Sequence, residues 1–317
     1  MPDDMSTSAK AHPNIALLKY WGKQDRPGNY PATPSVSITL NTLSTTTTVE
    51  AASANSVWLN DIEVHDTKID TTLDAWRQRY DIPALTIKTQ NNFPTAAGLA
   101  SSASGFAALI TAIDAYCELS LSDADKSGLA RMGSGSAARS IHGGFVTLTD
   151  PDWQGQQLLP GEAWPLRVVI AITTMGPKDV SSSAGMERSR LTSPYFEAWV
   201  SSTTLDYAPM IEAVTNRDFD KLGELAEASC LKMHALMLSS KPGLVYWHAA
   251  TVACMHQIRA LREQGLNVFF TVDAGPQVKA ICTEEHAQSV QQALANLPGV
   301  EETIQVGLGS GATVVDG

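Results

Sequence analysis

NNFPTAAGLASSASGFAAL, residues 91–109, runs from a polar, Gly- and Ser-rich stretch directly into a long small-residue helix pattern. That order aims several backbone N–H groups, and the positive end of a helix dipole, at one point, which is what holding a phosphate requires. Ser101, Ser102 and Ser104 add hydroxyl groups that can donate to a phosphate or ligate magnesium. The GxxxxGK[ST] pattern is absent, so this is not a Walker loop. A serine-capped helix packed closely through Ala and Gly would have the same composition, and the surrounding chain has to decide.

Three other stretches point the same way. In RMGSGSAARSIHGGF (131–145), Ser134, Gly135 and Ser136 precede a predicted helical turn carrying Arg139. A guanidinium there suits bidentate binding of a carboxylate or phosphate, although an exposed loop with an incidental arginine reads alike. In FFTVDAGPQVK (269–279), Asp273 ends an apolar strand before Ala-Gly-Pro. Such a carboxylate suits a catalytic base and suits an Asx-turn equally well. NIALLKYWGK (14–23) ends a buried strand with Lys19 and Lys23, a glycine between them. Solvated strand-end cations are the alternative there. GLGSGAT (307–313) looks like a phosphate loop but has no helix after it, so a closing strand or turn is expected. The seven histidines show no HxH or HExxH spacing, and those at 248 and 256 read as helix surface or core.

With 317 residues, 44% hydrophobic and 17% charged, the chain is globular and long enough for one large domain or two ordinary ones. A net charge of −11 argues against a nucleic-acid or membrane-surface binder, yet leaves room for a local basic pocket that takes a small anion. Cys117, Cys230, Cys254 and Cys282 are scattered, with no CxxC pair, so neither a disulfide frame nor a zinc site is expected. MPDDMSTSAK has no signal-peptide character, and no apolar run reaches the ~18–20 residues of a membrane span. The expectation is a cytoplasmic protein with no membrane partner.

Along the chain, SVSITL (35–40) and STTTTVEA (44–51) alternate like strands and suggest a hairpin about Asn41, Thr42 and Leu43. Residues 71–80 and 102–119 have helical spacing, while 84–93 and 167–174 are strand-like. Long helices follow, then strands at 267–275 and from Val278, a helix, and a final strand at TIQVGLG. Two α+β lobes, 1–175 and 176–317, are expected, with the closing strand free to return to the first.

Together these stretches resemble the GHMP superfamily of small-molecule kinases, and within it the mevalonate diphosphate decarboxylase family. NIALLKYWGK is similar to that family's N-terminal signature, NNFPTAAGLASSASGFAAL to its phosphate loop, SGSAARSIHGGF to its arginine segment and TVDAGPQVK to its aspartate segment. VSSSAGMERSRLTSPYFEAW (180–199) resembles the family as well, so five motifs fall in order over almost the whole chain. The resemblance implies an α+β, two-layer GHMP kinase fold, with a ribosomal-protein-like N-terminal lobe, a ferredoxin-like C-terminal lobe and the site in the cleft between them. It also implies ATP and Mg²⁺, a homodimer, and mevalonate 5-diphosphate as substrate. The tertiary hydroxyl is phosphorylated, then phosphate and carbon dioxide leave to give isopentenyl diphosphate.

On that resemblance, Pro94, Ala97, Gly98, Leu99, Ala100, Ser101, Ser102 and Ser104 hold the triphosphate, with Ser102 as a magnesium ligand. Asp273 accepts or orients the hydroxyl proton, and Lys19 lowers its pKa and stabilises developing charge. Arg139 and Ser136 hold the substrate carboxylate, while Tyr20, Lys23, Ser134 and Ser183, with Asn14, bind the rest of the substrate. The chain departs from the family pattern at Thr33 and Pro34, in a segment that lies close to substrate in the family. A mevalonate 5-phosphate decarboxylase and a mevalonate 3-kinase are the near alternatives. A non-catalytic nucleotide-binding relative would be expected to lack Lys19, Arg139 or Asp273, and all three are present.

Overall fold

The computed structural model describes residues 6–93, 101–174, 176 and 179–315. The first half contains strands β1 (Ser6–Ala11), β2 (Asn14–Leu18), β3 (Ser35–Thr39), β4 (Thr45–Ala51), β5 (Ser56–Leu59) and β6 (Ile62–Val64). Helix α1 (Thr67–Arg77), strand β7 (Leu85–Asn91), helices α2 (Ser101–Tyr116) and α3 (Asp123–Gly133), and the short α4 (Ala137–Ser140) follow. Strands β8 (Phe145–Thr149), β9 (Gln154–Leu159) and β10 (Arg167–Ile172) lead to four helices, α5 (Ser182–Thr192), α6 (Phe196–Asn216), α7 (Phe219–Leu238) and α8 (Ala249–Glu263). The rest is β11 (Val268–Val272), β12 (Val278–Cys282), α9 (Ala287–Ala295), β13 (Glu302–Gly307) and β14 (Thr313–Val315).

These strands form three sheets, in the orders β14-β1-β4-β7-β5-β6, β2-β3-β8-β9 and β11-β12-β10-β13. The hairpin expected between residues 35 and 51 does not form. β3 pairs with β2 and β8, whereas β4 pairs with β1 and β7, so the two runs lie in different sheets. Their link is held elsewhere: Asn41 accepts a hydrogen bond from the Gly307 amide at 2.7 Å through Oδ1, and Thr42 adopts the left-handed region at φ 60°. Every residue of β3 is buried, a mark of a strand covered on both faces rather than one arm of a surface hairpin.

β10 lies between β12 and β13, so it shares a sheet with the C-terminal strands although it precedes residue 175. β14 returns to pair with β1. On β11, Phe269 packs into a core shared with α6, α7 and the β2-β3-β8 strands, while its neighbour Phe270 packs toward α8 and α9. Each such buried aromatic contributes about 1.5–3 kcal/mol. In the first half α2 lies on β1 and β4 through Ala107, Ile110 and Ala112, which explains its small-residue composition. Near the ends of β2 and β11, Tyr20, Trp21, Met186, Trp199, Met233 and Ala274 form a separate cluster that walls one side of a cleft.

Candidate active site

The cleft has a volume of about 410 Å³ and gathers the motif residues from all parts of the chain. Asn14, Lys19, Tyr20 and Lys23 reach it from β2 and its sequel. Ser101 and Ser102 come from the first turn of α2, Ser134, Gly135 and Ser136 from the loop before α4, and Arg139 from α4 itself. Ser181, Ser182 and Ser183 come from the start of α5, and Asp273 from the turn after β11. Ser104 is the exception among the serines. Its side chain is fully buried on the sheet-facing side of α2, with Oγ 2.6 Å from Thr45 Oγ1, and does not line the cleft. Pro94, Ala97, Gly98, Leu99 and Ala100 lie outside the described residues. Thr33 is buried, and neither it nor Pro34 is among the residues that line the cleft.

The two lysines of NIALLKYWGK end up in different environments. A register shift in the pairing of β2 with β3, between Ala16 and Leu18, re-aims the chain just before Lys19. Lys19 is 1% exposed, and its Nζ donates to Asp273 Oδ1 at 2.5 Å. Gly22 then turns the chain at φ +100°, where a Cβ would also meet Phe196 Cε2 at 2.8 Å. Beyond that turn, Lys23 Nζ donates to Asn29 Oδ1 at 2.7 Å and lies 3.4 Å from Ser183 Oγ. Burial lowers the Lys23 pKa, and Glu187 offsets part of that effect.

A second buried lysine faces Asp273. Lys279, on β12, places Nζ 3.3 Å from Asp273 Oδ2 and is 1% exposed. Burial would raise the Asp273 pKa, but Lys19 and Lys279 outweigh it and hold the carboxylate well below its ordinary range. Burial also lowers the Lys279 pKa, with Asp273 opposing.

Arg139 is 1% exposed and spends its donors on neutral partners. Nε donates to Ser37 Oγ at 2.9 Å, one terminal nitrogen to Ser35 Oγ at 2.7 Å and the other to Asn14 Oδ1 at 3.1 Å. Asn14 in turn donates to Ser136 O at 2.9 Å and to Ser140 Oγ at 2.7 Å. Burial pulls the guanidinium pKa down to about 10. Tyr20 sits against Gly135 and Arg139; its hydroxyl is buried without a hydrogen-bond partner among the described residues, and burial pushes its pKa up. Ser134 Oγ lies 3.3 Å from both Ser102 Oγ and Ser136 Oγ, so the two Gly/Ser loops meet through their hydroxyls.

Several contributors carried a weak signal in the sequence or none. Lys279 lies inside the quoted TVDAGPQVK, and a charge in the apolar VKAIC strand was the available clue. Ser35 and Ser37 stand on one face of β3 by simple alternation, which does not reveal that Arg139 is their partner. Lys68, at the start of α1, and Asn29, in a loop, line the cleft with no local sequence mark.

Profile comparison matches residues 11–157 to the diphosphomevalonate decarboxylase-like N-terminal domain and residues 168–310 to the mevalonate 5-diphosphate decarboxylase C-terminal domain. The chain belongs to the diphosphomevalonate decarboxylase family. The diphosphomevalonate decarboxylase of Candida albicans is 35% identical, over 91% of this chain and 87% of its own. A solved structure of MDDEF in complex with MVAPP, AMPPCP and magnesium superposes with a TM-score of 0.91 at 36% identity, over 99% of each chain. That of the Staphylococcus aureus mevalonate diphosphate decarboxylase gives 0.91 at 35% identity, over 98% of each. The fold is thus the α+β GHMP kinase fold of the decarboxylase family.

Among the described residues no group of three or more His, Cys, Asp or Glu could hold a metal ion. The donors at the α2 end of the cleft are hydroxyls, with Lys23 and Lys68 nearby. That set fits a magnesium ion carried mainly by phosphate oxygens, with Ser102 supplying a hydroxyl, rather than an all-protein cage.

Proposed function

We propose that this protein is an ATP-dependent diphosphomevalonate decarboxylase. It phosphorylates the tertiary hydroxyl of mevalonate 5-diphosphate, then releases phosphate and carbon dioxide to leave isopentenyl diphosphate. The observation that carries the reading is the arrangement of one carboxylate and several cations around a single cleft. Lys19 and Asp273 stand at one point, Arg139 at a second and Lys23 with Ser183 at a third. A substrate with a hydroxyl, a carboxylate and a diphosphate needs three such points.

Asp273 accepts a hydrogen bond from the tertiary hydroxyl and orients its oxygen toward the γ-phosphoryl group of ATP. A carboxylate held this far down by two ammonium groups is a weak base, so orientation outweighs outright proton removal. As the new P–O bond forms and the bond to the departing ADP breaks, the hydroxyl proton passes to Asp273. Lys19 faces the transferring group and offsets its charge. Ser102, at the start of α2, would hold a magnesium ion together with the phosphates, and the ion would supply charge neutralisation there. Arg139, fixed by Ser35, Ser37 and Asn14, holds the substrate carboxylate beside Ser136 so that its C–C bond lies in line with the leaving phosphate. Tyr20, Lys23, Ser134 and Ser183 bind the diphosphate.

The reading carries with it the family expectation of a cytoplasmic homodimer, and no described helix is long and apolar enough to cross a membrane. A lobe border between β9 and β10 suits the sheet pairing better than one near residue 175. The test of function is incubation with ATP, Mg²⁺ and, separately, mevalonate, its 5-phosphate and its 5-diphosphate, with ADP and carbon dioxide followed together. Equal release from the diphosphate alone supports the proposal. Equal release from the monophosphate, or ADP without carbon dioxide, replaces it with the corresponding decarboxylase or 3-kinase.

A further inference from the structure

Lys19 and Asp273 come from different sheets, and each follows directly on an edge strand. β2 is the outer strand of its sheet and β11 the outer strand of its own, and α7 packs against both. An edge strand presents backbone groups with no ladder partner, so something else has to satisfy them and hold the strand in place. Along α7, side chains take that part. Glu227 Oε1 accepts from the Phe270 amide at 3.2 Å. Cys230 Sγ accepts from the Val272 amide at 3.2 Å and donates to the Val272 carbonyl at 3.5 Å. The His234 ring also approaches that carbonyl, but Trp247 Nε1, which can only donate, points at the same ring nitrogen from 3.2 Å. That nitrogen is therefore an acceptor, which leaves the Cys230 thiol as the donor to Val272 O.

The residue before Cys230 faces the other sheet. Ser229 Oγ accepts from the Lys19 backbone amide at 2.9 Å, and Ser229 and Cys230 are both fully buried. Two consecutive residues of one helix therefore grip the chain at Lys19 and at Val272, the residue just before Asp273.

We propose that Ser229 and Cys230 are positioning residues that set the Lys19–Asp273 pair: α7 ties the two edge strands so that the two side chains meet at 2.5 Å. Neither residue lines the cleft, so neither acts on substrate directly. The inference rests on the functional reading for its effect on turnover, though not for its geometry.

The experiment compares Ser229→Ala, Cys230→Ala and Ser229→Thr with Cys254→Ala, a fully buried cysteine of α8 in the core beyond β11, taken as the stability control. A displacement of about 1 Å at reacting groups costs up to about 100-fold in rate, so kcat should fall about 10–100-fold in the two site variants. KM for ATP and for mevalonate 5-diphosphate should stay within about twofold, because the binding groups are untouched. Ser229→Thr keeps the oxygen and should restore kcat. Crystal structures of Ser229→Ala and Cys230→Ala should show the Lys19–Asp273 contact opening past about 3.5 Å. The proposal is overturned if kcat falls only in step with Tm, as in Cys254→Ala, or if the contact keeps its length in both alanine variants. Should the wild-type protein release no ADP with mevalonate 5-diphosphate, the functional reading fails, and the crystallographic distance alone decides for or against the positioning role.

Discussion

Gly135 offers the most direct probe of substrate binding, because the structure says what an added methyl group would strike. A Cβ at this position would lie 2.3 Å from Tyr20 Oη, 2.7 Å from Cζ and 3.0 Å from Cε1. Ordinary van der Waals contact begins near 3.4 Å, so the hydroxyl end of the ring must retreat by about 1 Å in Gly135→Ala. The ring cannot do so freely, since Tyr20 is packed in the cluster with Trp21, Met186 and Met233. Overpacking of this kind costs about 1–3 kcal/mol of stability. If Tyr20 holds the diphosphate, moving its hydroxyl should weaken substrate binding at least tenfold, or about 1.4 kcal/mol. Isothermal titration calorimetry with mevalonate 5-diphosphate reads this without depending on chemistry. Tyr20→Phe supplies the second arm. It deletes the closest contact and leaves Cζ at 2.7 Å, so the double variant should lose less than the two single losses combined. Unchanged affinity in Gly135→Ala, or simple additivity in the double variant, would refute the placement of Tyr20 at the substrate.

Other expectations test the charged groups. Arg139→Lys keeps the charge but cannot reproduce the three-way fork to Ser35, Ser37 and Asn14; a fall in carbon dioxide release of about 10²–10³-fold is expected, with ADP release falling less. Lys279→Met removes one of the two ammonium groups that depress the Asp273 pKa, so that pKa rises and the acid limb of the kcat/KM profile moves to higher pH. An unmoved acid limb would sink the assignment. His234 is buried and its pKa is lowered to about 3, so between pH 3 and 6.5 the unfolded chain binds a proton that the folded chain refuses. Stability therefore falls as pH drops below 6.5, by about 2 kcal/mol at pH 5 from this group alone. His234→Gln should lose correspondingly less Tm between pH 7 and pH 5, measured by calorimetry; equal losses would contradict the buried neutral ring.

The parts of this molecule that were legible in the sequence share one property: their signal is local. Ser101 and Ser102 open a helix within one stretch, Arg139 follows its Gly/Ser loop by three residues, and Asp273 ends a strand at a glycine turn. Each could be located from neighbours alone, and the fold then brings them to one cleft. What escaped depends on register. Ser35 and Ser37 matter because β3 lies under α4, and Lys279 because β12 returns antiparallel to β11, pairing Lys279 with Thr271. The missed sheet change after β3 has the same origin. Alternating Thr, Val and Ser residues mark strands well, but a three-residue link of Asn41, Thr42 and Leu43 fits a hairpin and a crossing between sheets alike. Only the long-range bonds of Asn41 to Gly307 distinguish them.

The electrostatics of the cleft give the separate residues a common logic. A chain with a net charge of −11 nonetheless places Lys19, Lys23, Lys68 and Arg139 around one space, with Lys279 behind Asp273. Burial lowers the pKa of Lys23, Lys68, Arg139 and Lys279 alike, and Lys23 further depresses Lys68. Cations held in this way are under-solvated, which is costly in the ligand-free protein. Arg139 makes the point most sharply, since the two hydroxyls and the amide around it accept from three of its five N–H groups without cancelling its charge. An anion with several charged groups reverses that penalty at each position in turn, so part of its binding energy is stored in the empty fold. The same arrangement discriminates. An analogue that lacks one anionic group would fill the space and leave one buried cation uncompensated, and a buried uncompensated charge is penalised far more heavily than a missing apolar contact. On the proposed reading, the spacing of the cations would select a substrate by the positions of its charges, and Asp273, kept ionised at neutral pH, would stand where the hydroxyl of such a substrate has to be.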